Sequence, residues 1–233
     1  MAKKRSKRYL KAAELVDASK QYTMAEAAGL LKKFPAPKFD QTVTISMRMG
    51  VDPRKSDQMI RSTCPLPHGS GKTVRVVVFA QGEAATAAKN AGAEEVGYEA
   101  LIKKVQEGYQ DFDVAIATPD AMADVRKLGR QLGPRGLMPN PKTGTVTDDV
   151  AAAVLAVKAG RVDFKLDRNG NISVPVGRTS FEPIKLVENA EAVIESVNRA
   201  KPPAARGIYI RALSMTSSMS PSIKIEASGY AQN

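Results

Sequence analysis

The chain has very little with which to do covalent or metal chemistry. Its 233 residues include one cysteine, Cys64, and one histidine, His68. A single cysteine excludes a disulfide framework and a thiolate metal cluster, and it fits a reducing, cytoplasmic compartment. No tryptophan is present and aromatic residues make up 5% of the chain, so any core must rest on Val, Ile, Leu, Met and Ala. Long apolar runs are missing too. The stretch 150–157 is among the longest, and it is far too short to span a bilayer. The basic start, MAKKRSKRYLKAAELV, lacks the apolar segment that a secretory signal would place after its charges. No membrane partner, metal or cofactor is expected.

Positive charge is what the chain has in excess. The formal net charge is +11, which suggests an anionic polymer as partner. The excess is unevenly placed. Residues 1–66 carry 14 basic and 6 acidic groups, residues 67–159 carry 11 of each, and residues 160–233 carry 10 and 7. Both outer thirds are therefore basic and the middle is neutral. Two chain ends forming one nucleic-acid-binding body around an inserted neutral domain would give this pattern.

The texture of the chain agrees with that division. Six of the first eleven residues are basic and are expected to form a mobile tail when unbound. Thr23 and Glu26 form a T-x-x-E capping box that predicts a helix over 24–33, stopped by Pro35. TVTISMRM (42–49) alternates strictly, as a half-buried strand does, and Asp52-Pro53 predicts a short basic helix over 52–61. VRVVVFA (74–80) and DVAIAT (113–118) are apolar runs typical of strands covered on both faces. Helices are expected between them and after them, including one over 148–160, so this block reads as parallel α/β. VDFKL and NISVPV flank Asn169-Gly170 and predict a hairpin. A long helix over 181–199 and two strands around the turn TSSMS complete an α+β pattern.

Several motifs permit more than one reading. HGSGKT (68–73) has Leu66 where a phosphate loop needs glycine, and it precedes a strand instead of linking a strand to a helix, so a flexible hinge fits better. Cys64 and His68 could pair as nucleophile and base, but no orienting acid is evident. Thr42, Thr44, Ser46 and Arg48 share one strand face, which suits either solvent or RNA phosphates and 2′-hydroxyls. The hydroxyl-rich turn 216–222 is likewise an exposed turn or a phosphate cradle. A nucleotide-dependent enzyme built on the α/β block is a rival reading, but Glu83 stands where a phosphate would sit. A free-standing RNA-binding regulator is a second rival.

The stretch VRKLGRQLGPRGLMPNPKTGTVT (125–147) holds four glycines, three prolines and five basic residues without one acid. It is poor material for catalysis and good material for touching phosphate. Together with FDQTVTISMRMGVDPRKSDQMIRSTCPLPHGSGK (39–72), AGRVDFKLDRNGNISVPVGR (159–178) and TSSMSPS (216–222), it resembles the ribosomal protein L-one family, bacterial type. The segments come in family order over nearly the whole chain.

The resemblance implies a discontinuous α+β domain, 1–67 with 160–233, that binds large-subunit rRNA, and an inserted Rossmann-like α/β domain, 68–159. Hinges are expected at 67–71 and near 159–160. By motif it implies rRNA contacts at Lys38, Phe39, Thr42, Phe164, Ser218, Met219 and Ser220. Arg54, Lys55, Arg130 and Arg135 are candidates for tRNA or hinge contacts. It further implies a non-enzymatic monomer within the ribosome, at the mobile side stalk. Exit-site tRNA and the protein's own mRNA leader are the other expected partners. One departure stands out: the family turn reads Thr-Met-Gly-Pro, and this chain has Ser218-Met219-Ser220-Pro221.

Overall fold

The computed structural model describes residues 5–230, without the side chain of Lys142. The first segment forms α1 (Lys7–Glu14), α2 (Met24–Lys33), β1 (Thr42–Met49) and β2 (Arg61–Cys64). Next come β3 (Val76–Phe79), α3 (Gly82–Asn90), β4 (Glu95–Gly97), α4 (Glu99–Gln106), β5 (Val114–Ala117), α5 (Met122–Val125), α6 (Gly129–Leu132) and α7 (Val150–Lys158). The last segment forms β6 (Val162–Lys165), β7 (Asn171–Arg178), α8 (Pro183–Arg199), β8 (Ile210–Ser217) and β9 (Ile223–Ile225). These elements divide into two compact units. One runs to Gly71 and resumes at Val162; the other is Lys72–Arg161.

In the discontinuous unit an antiparallel sheet has the order β7-β1-β8-β9. The alternation of β1 decides its faces. Val43, Ile45, Met47 and Met49 are buried, joined by Ile172, Val174 and Val176 of β7 and Leu213 and Met215 of β8. Ala27, Ala28 and Leu31 of α2 and Leu186, Ala190, Val193, Ile194 and Val197 of α8 belong to the same core. Each fully buried aliphatic side chain contributes about 1.5–3 kcal/mol. The α2 capping box forms as its spacing requires: the Glu26 amide donates to Thr23 Oγ1 (3.3 Å) and the Thr23 amide to Glu26 Oε2 (2.9 Å).

Three local expectations are corrected here. The basic start is helical from Lys7, with Ser6 Oγ accepting from the Tyr9 amide; residues 1–4 lie outside the described residues. Residues 52–61 are not a helix. The Asp52 carboxylate accepts from the Arg54 amide (3.0 Å) and closes a turn, a single 3-10 turn covers Ser56–Gln58, and β2 begins at Arg61. The Asn169-Gly170 turn exists, with Asp167 Oδ1 accepting from the Asn169 and Asn171 amides. Its flanking strands do not form a ladder with each other, however: β6 pairs with β2 and β7 with β1.

The second unit is a three-stranded parallel sheet, β4-β3-β5, extended by a parallel bridge from Ala117 to Val146. Val76 and Val78 face a core shared with Ala88 of α3 and Val154 and Val157 of α7. Val77 and Phe79 face the opposite core, with Leu101 and Val105 of α4 and Leu128 and Leu132. A strand with helices on both sides has no solvent face, which is why 74–80 is apolar without alternation.

Candidate nucleic-acid interface

The buried amide of Gln41 organises the start of β1. Gln41 is 5% exposed, and its Oε1 accepts from the Met219 amide (2.9 Å) and from Ser217 Oγ (3.3 Å). The backbone adds two further ties: the Ser218 amide donates to Thr42 O (3.1 Å) and the Thr42 amide to Ser218 Oγ (3.3 Å). The turn after β8 is thereby fixed onto the first residues of β1. Lys38 and Thr42 lie beside it at the surface, and Phe39 and Met219 are half-exposed, at 50% and 52%. Two exposed apolar groups on a rigid frame, with a lysine and several hydroxyls nearby, form a surface that offers both stacking and phosphate contact.

A second clamp holds the other flank. Asp40 accepts from Thr179 Oγ1 (2.8 Å), the Ser180 amide (3.0 Å) and Ser180 Oγ (2.7 Å), while Arg178 Nη1 donates to Asp40 O (3.2 Å). Burial pushes the Asp40 carboxyl up, but the Ser180 and Thr179 hydrogen bonds and the Arg178 charge outweigh it, so its pKa lies below the ordinary value. Gln41, Asp40, Thr179 and Ser180 were not among the sequence-predicted site residues. The available signal was a polar Gln41 immediately before a strictly alternating strand, where a buried amide must find partners.

Ser220, at the position where the resemblance implies glycine, sits without strain: among the described residues no non-glycine residue has a positive φ. Its hydroxyl is used inside the turn. Ser220 Oγ accepts from the Ser217 amide (2.9 Å) and lies 2.9 Å from Pro221 O, so it braces the loop.

Phe164 is corrected. It pairs with Ser62 across β6 and β2, is 2% exposed and belongs to the core, so its ring supports the sheet and presents no stacking face. Arg54 and Lys55 are exposed and follow the far end of β1, opposite the Thr42 end. There, Lys55, Arg206 and Arg211 line an open groove of about 630 Å³ with Gly50 and Asp52. Among the described residues no carboxylate pairs with these three cations. The groove depends on Gly50, whose added Cβ would lie 2.0 Å from Ile208 O. Arg206 and Arg211 were missed in the sequence because they are far from Lys55 along the chain. Arg130 and Arg135 are exposed in the other unit, on α6 and just after it.

Among the described residues, the groups that other chemistries would use are held in structural contacts. Cys64 is fully buried, its Sγ lies 3.4 Å from both Pro65 O and Ala192 O, and burial pushes the thiol pKa up. The His68 ring pairs with Glu188. Among the described residues no group of three His, Cys, Asp or Glu could hold a metal. In the parallel unit a cavity of about 240 Å³ lies at the strand ends, where α/β sheets bind ligands. Asp120 and Asp148 line it without a cation, the wrong sign for a nucleotide phosphate. No helix among the described residues is long and apolar enough to cross a membrane.

Comparison with known proteins agrees with the surface chemistry. Residues 31–221 match the model of the ribosomal protein L1p/L10e family. The chain is also 53% identical over 223 residues to large ribosomal subunit protein uL1 of Thermobifida fusca (strain YX), covering 96% of this chain and 95% of that protein.

Proposed function

Because the chain belongs to the ribosomal protein L1p/L10e family, we propose that it is a non-enzymatic component of the large ribosomal subunit, working in the cytoplasm, that binds large-subunit rRNA at the side stalk. The observation that carries this reading is the Gln41-clamped turn, which holds Met219 and Ser218 against Thr42 beside exposed Lys38 and Phe39. Lys38 supplies a phosphate contact. Thr42 and Ser218 donate and accept at 2′-hydroxyls, and Phe39 and Met219 pack on exposed bases. Phe164 acts indirectly, by filling the core beneath the sheet.

The finer roles belong to the same reading. The discontinuous unit holds rRNA while the parallel unit moves as an arm and assists release of exit-site tRNA, with Arg54, Lys55, Arg130 and Arg135 as candidates for tRNA or hinge contacts. Binding of a similar motif on its own mRNA leader represses its translation. The links between the units, after Gly71 and after Arg161, serve as the hinge. Co-sedimentation tests the reading: the chain travels with large subunits and releases them when Thr42 and Met219 are both changed to Ala. A chain that binds RNA yet never joins large subunits is a free-standing regulator, and the reading fails. A reporter carrying the mRNA leader tests repression separately.

A further inference from the structure

Opposite the core face, which α2 and α8 cover, the sheet has a second face whose outward residues are partly or fully exposed. Its side chains are the outward members of each strand, and the register arranges them in rows. Ser46 of β1 stands between Ser173 of β7 and Ser214 of β8, with Ser46 Oγ and Ser173 Oγ 3.0 Å apart. Thr44 stands opposite Thr216 in the next row, and Thr42 begins the clamped turn. Arg48 continues the same face, exposed, at the far end. Just beyond it lies the groove with Lys55, Arg206 and Arg211. From Thr42 to Arg48 the track is about 20 Å long, at about 3.3 Å per strand residue.

A solvated sheet face normally carries long charged side chains of both signs. This one carries short hydroxyls in the middle, Lys224 opposite Ser214 on β9, and at one end cations that make no ion pair among the described residues. Short hydroxyls let a partner's backbone come close, and each can donate and accept. The wide, shallow minor groove of A-form RNA presents 2′-hydroxyls with phosphates at its edges, which is the complement of this surface.

We infer that the rRNA interface extends from the clamped turn along the open sheet face into the cationic groove, with Ser46, Thr44 and Ser214 facing RNA 2′-hydroxyls and Arg206 and Arg211 neutralising phosphates. This rests on the rRNA-binding reading above and adds a second contact region about 20 Å from the first. The occupant is an rRNA helix, because the face is continuous with the Thr42 contact and because its cations, Arg48, Lys55, Arg206, Arg211 and Lys224, outnumber Asp52, the carboxylate that lines the groove.

The test uses the full chain and a side-stalk fragment of large-subunit rRNA, titrated over a range of salt. Ser46→Asp places a carboxylate in the middle of the face without touching the core, and it weakens binding at least tenfold. The double change Arg206→Ala with Arg211→Ala weakens binding at low salt and makes the slope of log affinity against log salt shallower by roughly 1.4–1.8, the loss of two phosphate contacts at about 0.7–0.9 each. Thermal melts of both variants establish that they remain folded. Wild-type affinity and slope in both, while Thr42→Ala still loses binding, overturns the extension and leaves the turn as the whole interface. If Thr42→Ala also binds normally, the rRNA site itself is misplaced. A loss confined to tRNA binding assigns the groove to a different RNA and likewise overturns the inference.

Discussion

Replacing Gln41 with Ala removes one amide and should produce two measurable effects. Its Oε1 accepts from the Met219 amide at 2.9 Å and Ser217 Oγ at 3.3 Å, and the residue is 5% exposed. Each intramolecular hydrogen bond contributes about 0.5–1.5 kcal/mol net, and a partner left unsatisfied in a buried place costs more. The expected destabilisation is therefore about 2 kcal/mol, a shift of about 1 M in the urea midpoint at a slope near 2 kcal/mol/M. The turn also loses the two ties made by this side chain and keeps those between Ser218 and Thr42, so it is held less firmly and part of residues 218–220 must be ordered when RNA binds. At about 1–2 kcal/mol per backbone residue, partial release weakens binding tenfold or more. Circular dichroism in urea reads the first effect and a gel-shift titration the second. Met219→Ala is the control: the side chain is exposed, so stability stays within about 0.5 kcal/mol while RNA binding falls. Wild-type stability and affinity in Gln41→Ala would refute the idea that this amide organises the site.

The two phenylalanines separate in the same assays. Phe164→Ala should cost about 3–5 kcal/mol as a core truncation, with the folded fraction still binding RNA normally. Phe39→Ala should leave stability nearly unchanged and weaken RNA binding by about 1–3 kcal/mol, the range of a lost stacking contact. Full RNA affinity in Phe39→Ala would exclude it from the interface. Tyr209 gives a pH test. Burial pushes its hydroxyl up to about 12, above its ordinary value near 10, so its stabilising contribution is complete below pH 10 and is lost as pH rises towards 12. Thermal melts over that window should show a steeper decline in the wild type than in Tyr209→Phe, and equal slopes would contradict the assignment.

The periodic parts of this architecture were legible in the sequence. Strict alternation in 42–49 marked a sheet with one buried face, and the unbroken apolar run at 74–80 marked a strand between two helical layers. What the sequence left open was partner choice. Asn169-Gly170 signals a real turn, but whether the flanking strands pair with each other is decided by distant segments, here Arg61–Cys64 and Thr42–Met49. Asp52-Pro53 resembles a helix start, yet the Asp52 carboxylate and the Gln58 side chain close a turn there instead. Phe164 is instructive because its burial was readable: Val162, Phe164 and Leu166 share one face of VDFKL. The motif resemblance named the residue, and the alternation explains its role as support. Arg206 and Arg211 join Lys55 only in three dimensions, so no local pattern could gather them.

The most direct test of the central claim is binding of the full chain to a side-stalk fragment of large-subunit rRNA, compared with an unrelated RNA of equal length across a range of salt. A basic surface alone binds both, and its affinity collapses as salt suppresses counterion release. The account predicts a strong preference for the stalk fragment that survives moderate salt and falls when Thr42 or Met219 becomes Ala. Equal binding to both RNAs, or a preference indifferent to those substitutions, would contradict it.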